Sequence, residues 1–168
     1  MTTGTVYWLT GLSGAGKTTI GWLLYQKIRE KQPNVVFLDG DTLRQVFGDD
    51  LGYTREDRLK SAMRNARLCR LLSDQGVDVV CCTISMFDSV RDWNRENIPG
   101  YVEVYIKASL QTLQKRDQKG LYTSGDGSVA GVDYMIEEPK HPDIVLPNDG
   151  DLTPEQQLQI LVQFLQKE

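Results

Sequence analysis

The sequence predicts an α/β protein with a mainly parallel five-stranded sheet, covered by helices on both faces. Three observations carry this expectation. Short apolar runs alternate along the chain with longer segments of helical periodicity. The runs are continuously apolar, as in strands buried on both faces, and do not alternate in polarity. The first run leads through a glycine-rich loop straight into a helix.

The elements follow in order. Residues 5–10 (TVYWLT) are apolar and β-branched, and Gly11 ends them, which predicts a buried strand. A helix is expected from about residue 18 to 31, with Ile20, Leu23, Leu24, Lys27 and Ile28 on one face and Pro33 as its stop. Residues 35–38 (VVFL) form a second strand ending at Asp39. Thr54 reads as an N-cap, and Asp57 completes the S/T-x-x-D/E start. That helix runs to about Gln75, with Leu59, Ala62, Met63, Ala66, Cys69 and Leu72 as its inner stripe, and Gly76 ends it. Strands are expected at 77–83, 101–106 and 144–146, and helices at about 88–97, 109–116 and 154–166. Thr153-Pro154-Glu155 gives the last helix an N-cap with proline in its first turn. In such sheets ligands sit beyond the carboxyl ends of the strands. Functional residues are therefore expected near Gly11, Asp39 and Thr83–Ser85.

The 168 residues suit a single domain, 1–168. Hydrophobic residues make up 40% and charged residues 25%, as in ordinary globular proteins. Nineteen Lys and Arg against 23 Asp and Glu leave a net charge of −4, which argues against binding a nucleic-acid polymer. Anionic ligands must then be held by local positive charge. Cys69, Cys81 and Cys82 lack metal-ligand spacing and read as small buried residues of a reducing compartment. The single histidine, His141, excludes a multi-histidine metal site. No stretch approaches the roughly 20 apolar residues of a membrane span, and the N-terminus lacks a basic-then-apolar leader. The expected location is the cytoplasm, with no membrane partner.

Residues 11–18, Gly-Leu-Ser-Gly-Ala-Gly-Lys-Thr, satisfy G-x-x-x-x-G-K-[ST] in the required context of strand before and helix after. The glycines let the backbone curl so that N–H groups face phosphate oxygens, and the helix start adds partial positive charge. Gly11, Ser13, Gly14, Ala15, Gly16, Lys17, Thr18 and Thr19 are the candidate ATP-binding residues. Lys17 is placed to reach the β/γ-phosphates, and the Thr18 hydroxyl to ligate Mg²⁺. The dinucleotide fingerprint does not fit, because Lys17-Thr18-Thr19 follows Gly16 where a third glycine is needed. No N-K-x-D for guanine is present, and the third strand ends Cys81-Cys82-Thr83 rather than in an acid. A small-molecule or nucleotide kinase remains, with a second anion site and a closing lid.

Asp39-Gly40-Asp41 follows the second strand directly. Phosphoryl transfer needs one carboxylate to take the proton of the attacking hydroxyl and another on the Mg²⁺ side. Asp41 is the candidate base, and Asp39 its metal-side partner. Arg44 and Arg58 are candidates to clamp an acceptor's phosphate-like group. Arg67 and Arg70 read as solvated. Lys115, Arg116 and Lys119 precede four glycines between 120 and 131, which reads as a lid at about 116–135.

These residues resemble the adenylylsulfate kinase family. The matching segments are LTGLSGAGKTT (9–19), FLDGDTLR (37–44), DLGYTREDR (50–58), TIS (83–85), RDQKGLY (116–122) and EEPKHPDIVL (137–146). The resemblance implies a three-layer P-loop kinase fold, ATP and Mg²⁺, and γ-phosphoryl transfer to a ribose 3′-hydroxyl of a nucleotide with an anionic tail. It puts Asp41 in the catalytic aspartate role and Arg44 and Arg58 on the acceptor nucleotide. Tyr53 takes the place of the aromatic that stacks on the acceptor base. Ser61, Ile84, Ser85, Lys119 and Leu121 fall on the acceptor side, and Arg116 on the ATP side. A homodimer is the assembly to test for.

The departures lie on the acceptor side. Ser61 stands where the family usually carries asparagine. The family's S-P-Y-R run becomes Ser85-Met86-Phe87-Asp88, an acid for an arginine. The basic stretch after Tyr122 is shortened. A changed acceptor is the physical inference, with a cytidine diphosphoramidate 3′-kinase as the alternative to an adenylylsulfate kinase. A nucleotide-binding module without catalysis is the alternative from another class.

Overall fold

A computed structural model describes residues 2–116 and 136–167. The elements in chain order are β1 (Val6–Thr10), α1 (Lys17–Arg29), β2 (Val35–Asp39), α2 (Gly40–Val46), α3 (Arg55–Asp74), β3 (Asp78–Thr83) and α4 (Asp88–Asn97). They continue with β4 (Tyr101–Lys107), α5 (Leu110–Arg116), β5 (Ile144–Pro147) and α6 (Pro154–Lys167). The strands form one sheet in the order β2-β3-β1-β4-β5, and every pair is parallel. The expected architecture is therefore present, and the sheet is wholly rather than mainly parallel.

Because side chains alternate across a strand, each strand feeds two cores. On one face Leu9, Val80, Cys82, Val104 and Ile106 pack with Ile20 and Leu24 of α1, Leu113 of α5 and Leu161 of α6. On the other, Val6, Trp8, Val79 and Cys81 pack with Ala62, Ala66 and Cys69 of α3 and Val90 of α4. Leu59, Met63 and Leu72 join that second cluster, so the whole expected stripe of α3 faces inward. Neighbouring Cys81 and Cys82 thus serve opposite cores, and all three cysteines are free and buried. A hydrogen bond with Cys69, and then burial, push the Cys81 thiol well above its ordinary range.

The α3 cap forms as its residues predict. Asp57 N donates to Thr54 Oγ1 at 3.1 Å. The Asp57 carboxylate turns to the Gly52 N–H at 3.0 Å, which ties the preceding loop to the helix. Thr153 caps α6 in the same way, and Gln156 closes the reciprocal pair. The correction concerns residues 40–46. The sequence pattern predicts no helix between the strand ending at Asp39 and the N-cap at Thr54, yet a short helix starts at Gly40. Asp39 keeps extended backbone as its N-cap, so strand passes into helix without a loop.

The proposed lid lies outside the described residues except for Arg116, as do Lys119 and Leu121. His141 is exposed on the segment before β5, and its carbonyl accepts from Arg95.

Candidate active site

One cleft opens at the carboxyl ends of β1, β2 and β3. Its walls are Ser13, Gly14, Gly16, Lys17, Thr18, Thr19, Asp39, Gly40, Asp41, Cys82, Thr83 and Ile84. Three segments remote in sequence meet there because parallel strands end on the same rim.

The loop between β1 and α1 owes its shape to backbone that only glycine adopts easily. Gly14 has φ 83° and Gly16 φ 108°. A Cβ on Gly16 would also lie 2.4 Å from the Asn148 amide nitrogen. The N-cap of α1 is Gly16, which has no side chain with which to cap the helix. Its first N–H groups and their partial positive charge therefore face the cleft, as an anion requires. Lys17 is 9% exposed, and its Nζ donates to the Leu12 carbonyl at 2.8 Å, folding the lysine back along its own loop.

The loop's carbonyls are held from behind. Arg116 donates to Gly14 O at 3.1 Å and to Asn148 O at 2.7 Å. The Asn148 side chain donates to Ala15 O at 2.7 Å. Gln157, almost fully buried, reaches Pro147 O at 2.5 Å and Asn148 Oδ1 at 3.5 Å. A planar trans peptide points its N–H opposite to its C=O. Anchoring Ala15 O on Asn148 therefore turns the Gly16 N–H to the other side of the loop. Arg116, placed on the ATP side by resemblance, thus bonds the loop itself. Sequence reasoning missed Asn148: a lone asparagine after a short strand carries no signal of this contact.

Asp39 and Asp41 flank the cleft from β2 and the first turn of α2. The unforeseen helix is what brings Asp41 round onto the wall one residue after Gly40. Thr18 Oγ1 lies 3.4 Å from Asp39 Oδ1. Two hard oxygen donors this close fit a Mg²⁺ ion, which takes few protein ligands and keeps several waters. Beneath Lys17, Cys82 Sγ donates to Lys17 O at 3.3 Å, and burial raises the Cys82 thiol well above its ordinary range.

Among the described acceptor-side candidates, Asp41 and Ile84 line this cleft, whereas Arg44, Tyr53, Arg58, Ser61 and Ser85 are not among its walls. Arg44 and Arg58 both lie over the Tyr53 ring, with guanidinium carbons 4.3 Å and 5.3 Å from its centroid. Arg44 also donates to Leu51 O and Gly52 O, and Arg58 Nε to Tyr53 O at 2.9 Å. The two arginines expected to hold an acceptor's anionic group thus stand as a pair around one exposed ring. Arg64 of α3 holds the same loop through both oxygens of Asp50 (2.9 and 3.0 Å), and this pairing keeps the Asp50 carboxyl below its usual range. Ser61 is half-buried on α3.

The turn after β3 carries Ser85 at φ 36°, an uncommon conformation for a residue with a side chain. Thr83 and Ser85 share a 2.7 Å hydroxyl hydrogen bond. The Thr10 hydroxyl donates to Ile84 O. Asp88, where resemblance led to a charge reversal, is paired with Arg91 at 2.7 Å and Lys140 at 2.9 Å. The Lys140 hydrogen bond, followed by that of Arg91, holds the Asp88 carboxyl below its ordinary range. The acid therefore does not present a bare negative charge.

The model of the adenylylsulphate kinase family matches residues 3–147. The chain belongs to that family. A cytidine diphosphoramidate kinase of Campylobacter jejuni is 40% identical over 164 residues, covering 95% of each chain. An adenylyl-sulfate kinase of Halothermothrix orenii is 36% identical, covering 98% of this chain and 90% of its own. Among solved structures, the Mycobacterium tuberculosis APS kinase in complex with AMPPNP and APS superposes with a TM-score of 0.89 at 32% identity, covering 99% of both chains. Shikimate kinase from Aquifex aeolicus shares the fold at a TM-score of 0.60 and 14% identity. The protein is thus a kinase of the P-loop fold. Among the described residues, no helix is long and apolar enough to cross a membrane.

Proposed function

We propose that this kinase transfers the γ-phosphoryl of ATP to the ribose 3′-hydroxyl of a nucleotide acceptor with an anionic tail. The observation that carries the reading is the meeting of Lys17, Thr18, Asp39 and Asp41 on one cleft. The loop amides and the start of α1 cradle the phosphates, and Lys17 follows the charge that grows on the transferring group. Thr18 and Asp39 are the residues that would hold Mg²⁺, which supplies charge neutralisation at the phosphates. Asp41 takes the proton of the acceptor hydroxyl as the new O–P bond forms. Arg44 and Arg58 bind the acceptor's anionic tail, with Tyr53 beside its base.

Two acceptors are in view. Family membership supports adenylylsulfate. A second reading, cytidine diphosphoramidate, is favoured by the 40% identical relative of that name. The test is coupled ADP release, run with adenylylsulfate and with cytidine diphosphate derivatives. Acceptor-dependent turnover is expected, and its loss in Asp41→Ala with ATP binding nearly unchanged. Turnover retained in Asp41→Ala would remove Asp41 as the base. ATP binding without turnover on any acceptor would favour a non-catalytic nucleotide module. We place the protein in the cytoplasm, as a single kinase domain closed by residues 116–135, with a homodimer to be tested by its mass in solution.

A further inference from the structure

The acceptor-side residues stand on separate elements. Tyr53 and Arg58 lie at the start of α3, and Ser85 on the turn between β3 and α4. The strands do not join these two regions directly. A side chain from a third region does.

Glu137 precedes β5 by seven residues, yet it bonds to both. Its Oε1 lies 3.3 Å from Arg55, the first residue of α3. Its Oε2 accepts the Asp88 N–H at 2.7 Å, at the start of α4. Its own N–H donates to Met86 O at 3.1 Å, and its carbonyl accepts from Arg91. Arg91 is 4% exposed, and it also meets Asp88 at 2.7 Å and the Ser85 carbonyl at 3.5 Å. Arg55 in turn lies over the Phe87 ring at 5.3 Å.

Two features make this junction more than a surface pairing. The N-cap of α4, Phe87, contributes no side-chain hydrogen bond, so Glu137 supplies the carboxylate to an amide that its own segment leaves open. The turn it braces also carries the strained Ser85 backbone, which persists only where the surroundings over-determine it.

We propose that Glu137 is a positioning residue for the acceptor. It fixes the 84–88 turn against the first turn of α3, and so sets Ser85 relative to Tyr53 and Arg58. The assignment rests on the nucleotide-kinase reading above. It predicts an effect on the acceptor and not on ATP, because none of these contacts touches the 11–18 loop.

The test uses the full chain, with Glu137→Ala and Glu137→Gln, and the acceptor that the unaltered protein turns over. Losing the partly buried, charge-assisted bond to the Asp88 N–H, and with it the exposed ion pair to Arg55, predicts a rise in acceptor KM of about tenfold for Glu137→Ala. Glu137→Gln keeps an oxygen for the Asp88 N–H, so a rise of about threefold is expected. The KM for ATP stays within about twofold in both. Equal rises in both KM values, or an unchanged acceptor KM, would overturn the proposal. Amide exchange at Asp88 is read alongside and accelerates in Glu137→Ala, whereas unchanged exchange would remove the junction itself. If the unaltered protein phosphorylates no nucleotide, the reading of the reaction falls, and the exchange measurement alone decides the junction.

Discussion

Asn148 offers a direct test of how the phosphate loop gets its shape. Asn148→Ala removes the donor that holds Ala15 O at 2.7 Å, and with it the 3.5 Å contact to Gln157. The lost bond is partly buried, so leaving Ala15 O unsatisfied costs about 1–3 kcal/mol. If about half of that appears as a reoriented Gly16 N–H in the bound state, ATP affinity falls roughly two- to twelvefold. Asn148→Asp is the sharper variant, because it keeps the shape and sets a carboxylate against a carbonyl. The assay is ATP affinity by titration calorimetry, beside the KM for ATP at saturating acceptor. Both should shift together, with Asn148→Asp at least as impaired as Asn148→Ala and the acceptor KM nearly unchanged. A drop in melting temperature with unaltered ATP affinity would refute the reasoning, since Asn148 would then be a strut for β5 alone.

Lys17→Ala is expected to lower kcat by several orders of magnitude, since it removes charge that matters most in the transition state; single-turnover kinetics check this. Gly21→Ala would set a Cβ 2.2 Å from Cys82 Sγ, so overpacking of about 1–3 kcal/mol outweighs a helix-propensity gain of about 1 kcal/mol. Pairing it with Cys82→Ala should recover most of the loss in urea unfolding. Burial raises the Glu103 carboxyl, although the Tyr101 hydroxyl and Arg95 oppose the shift. The folded state therefore favours the protonated form, and Glu103 lowers stability as pH rises from the ordinary glutamate range. Glu103→Gln should flatten that part of the stability–pH curve, and an unchanged slope would count against it.

The phosphate loop was legible because it is contiguous. Eight successive residues must curl in one way, and glycines at fixed offsets record that need. The stripe of α3 was legible for a similar reason, since burial every third or fourth residue leaves a periodic trace. The start of α2 was not. Asp39-Gly40 suits a turn, and only the sheet edge, where the strand runs straight into a helix, favours the other outcome. Asn148, Arg91 and Glu137 were invisible for a further reason. Each acts across a separation in sequence of 46 residues or more, where no local pattern forms. Tyr53 shows the limit of matching by position. Its place beside Arg44 and Arg58 was foreseen, but not that both guanidinia would cover the ring.

The two halves of the cleft differ in how they are made. The ATP-facing half centres on one contiguous loop on the rim of a buried sheet, whose Gly11, Ala15 and Lys17 are themselves buried. The acceptor-facing half is gathered from helix starts and turns joined by arginines and carboxylates, which can trade partners without unfolding a strand. Such a chain can exchange the molecule it modifies while its way of handling ATP stays fixed, and relatives of similar likeness can carry names of different substrates.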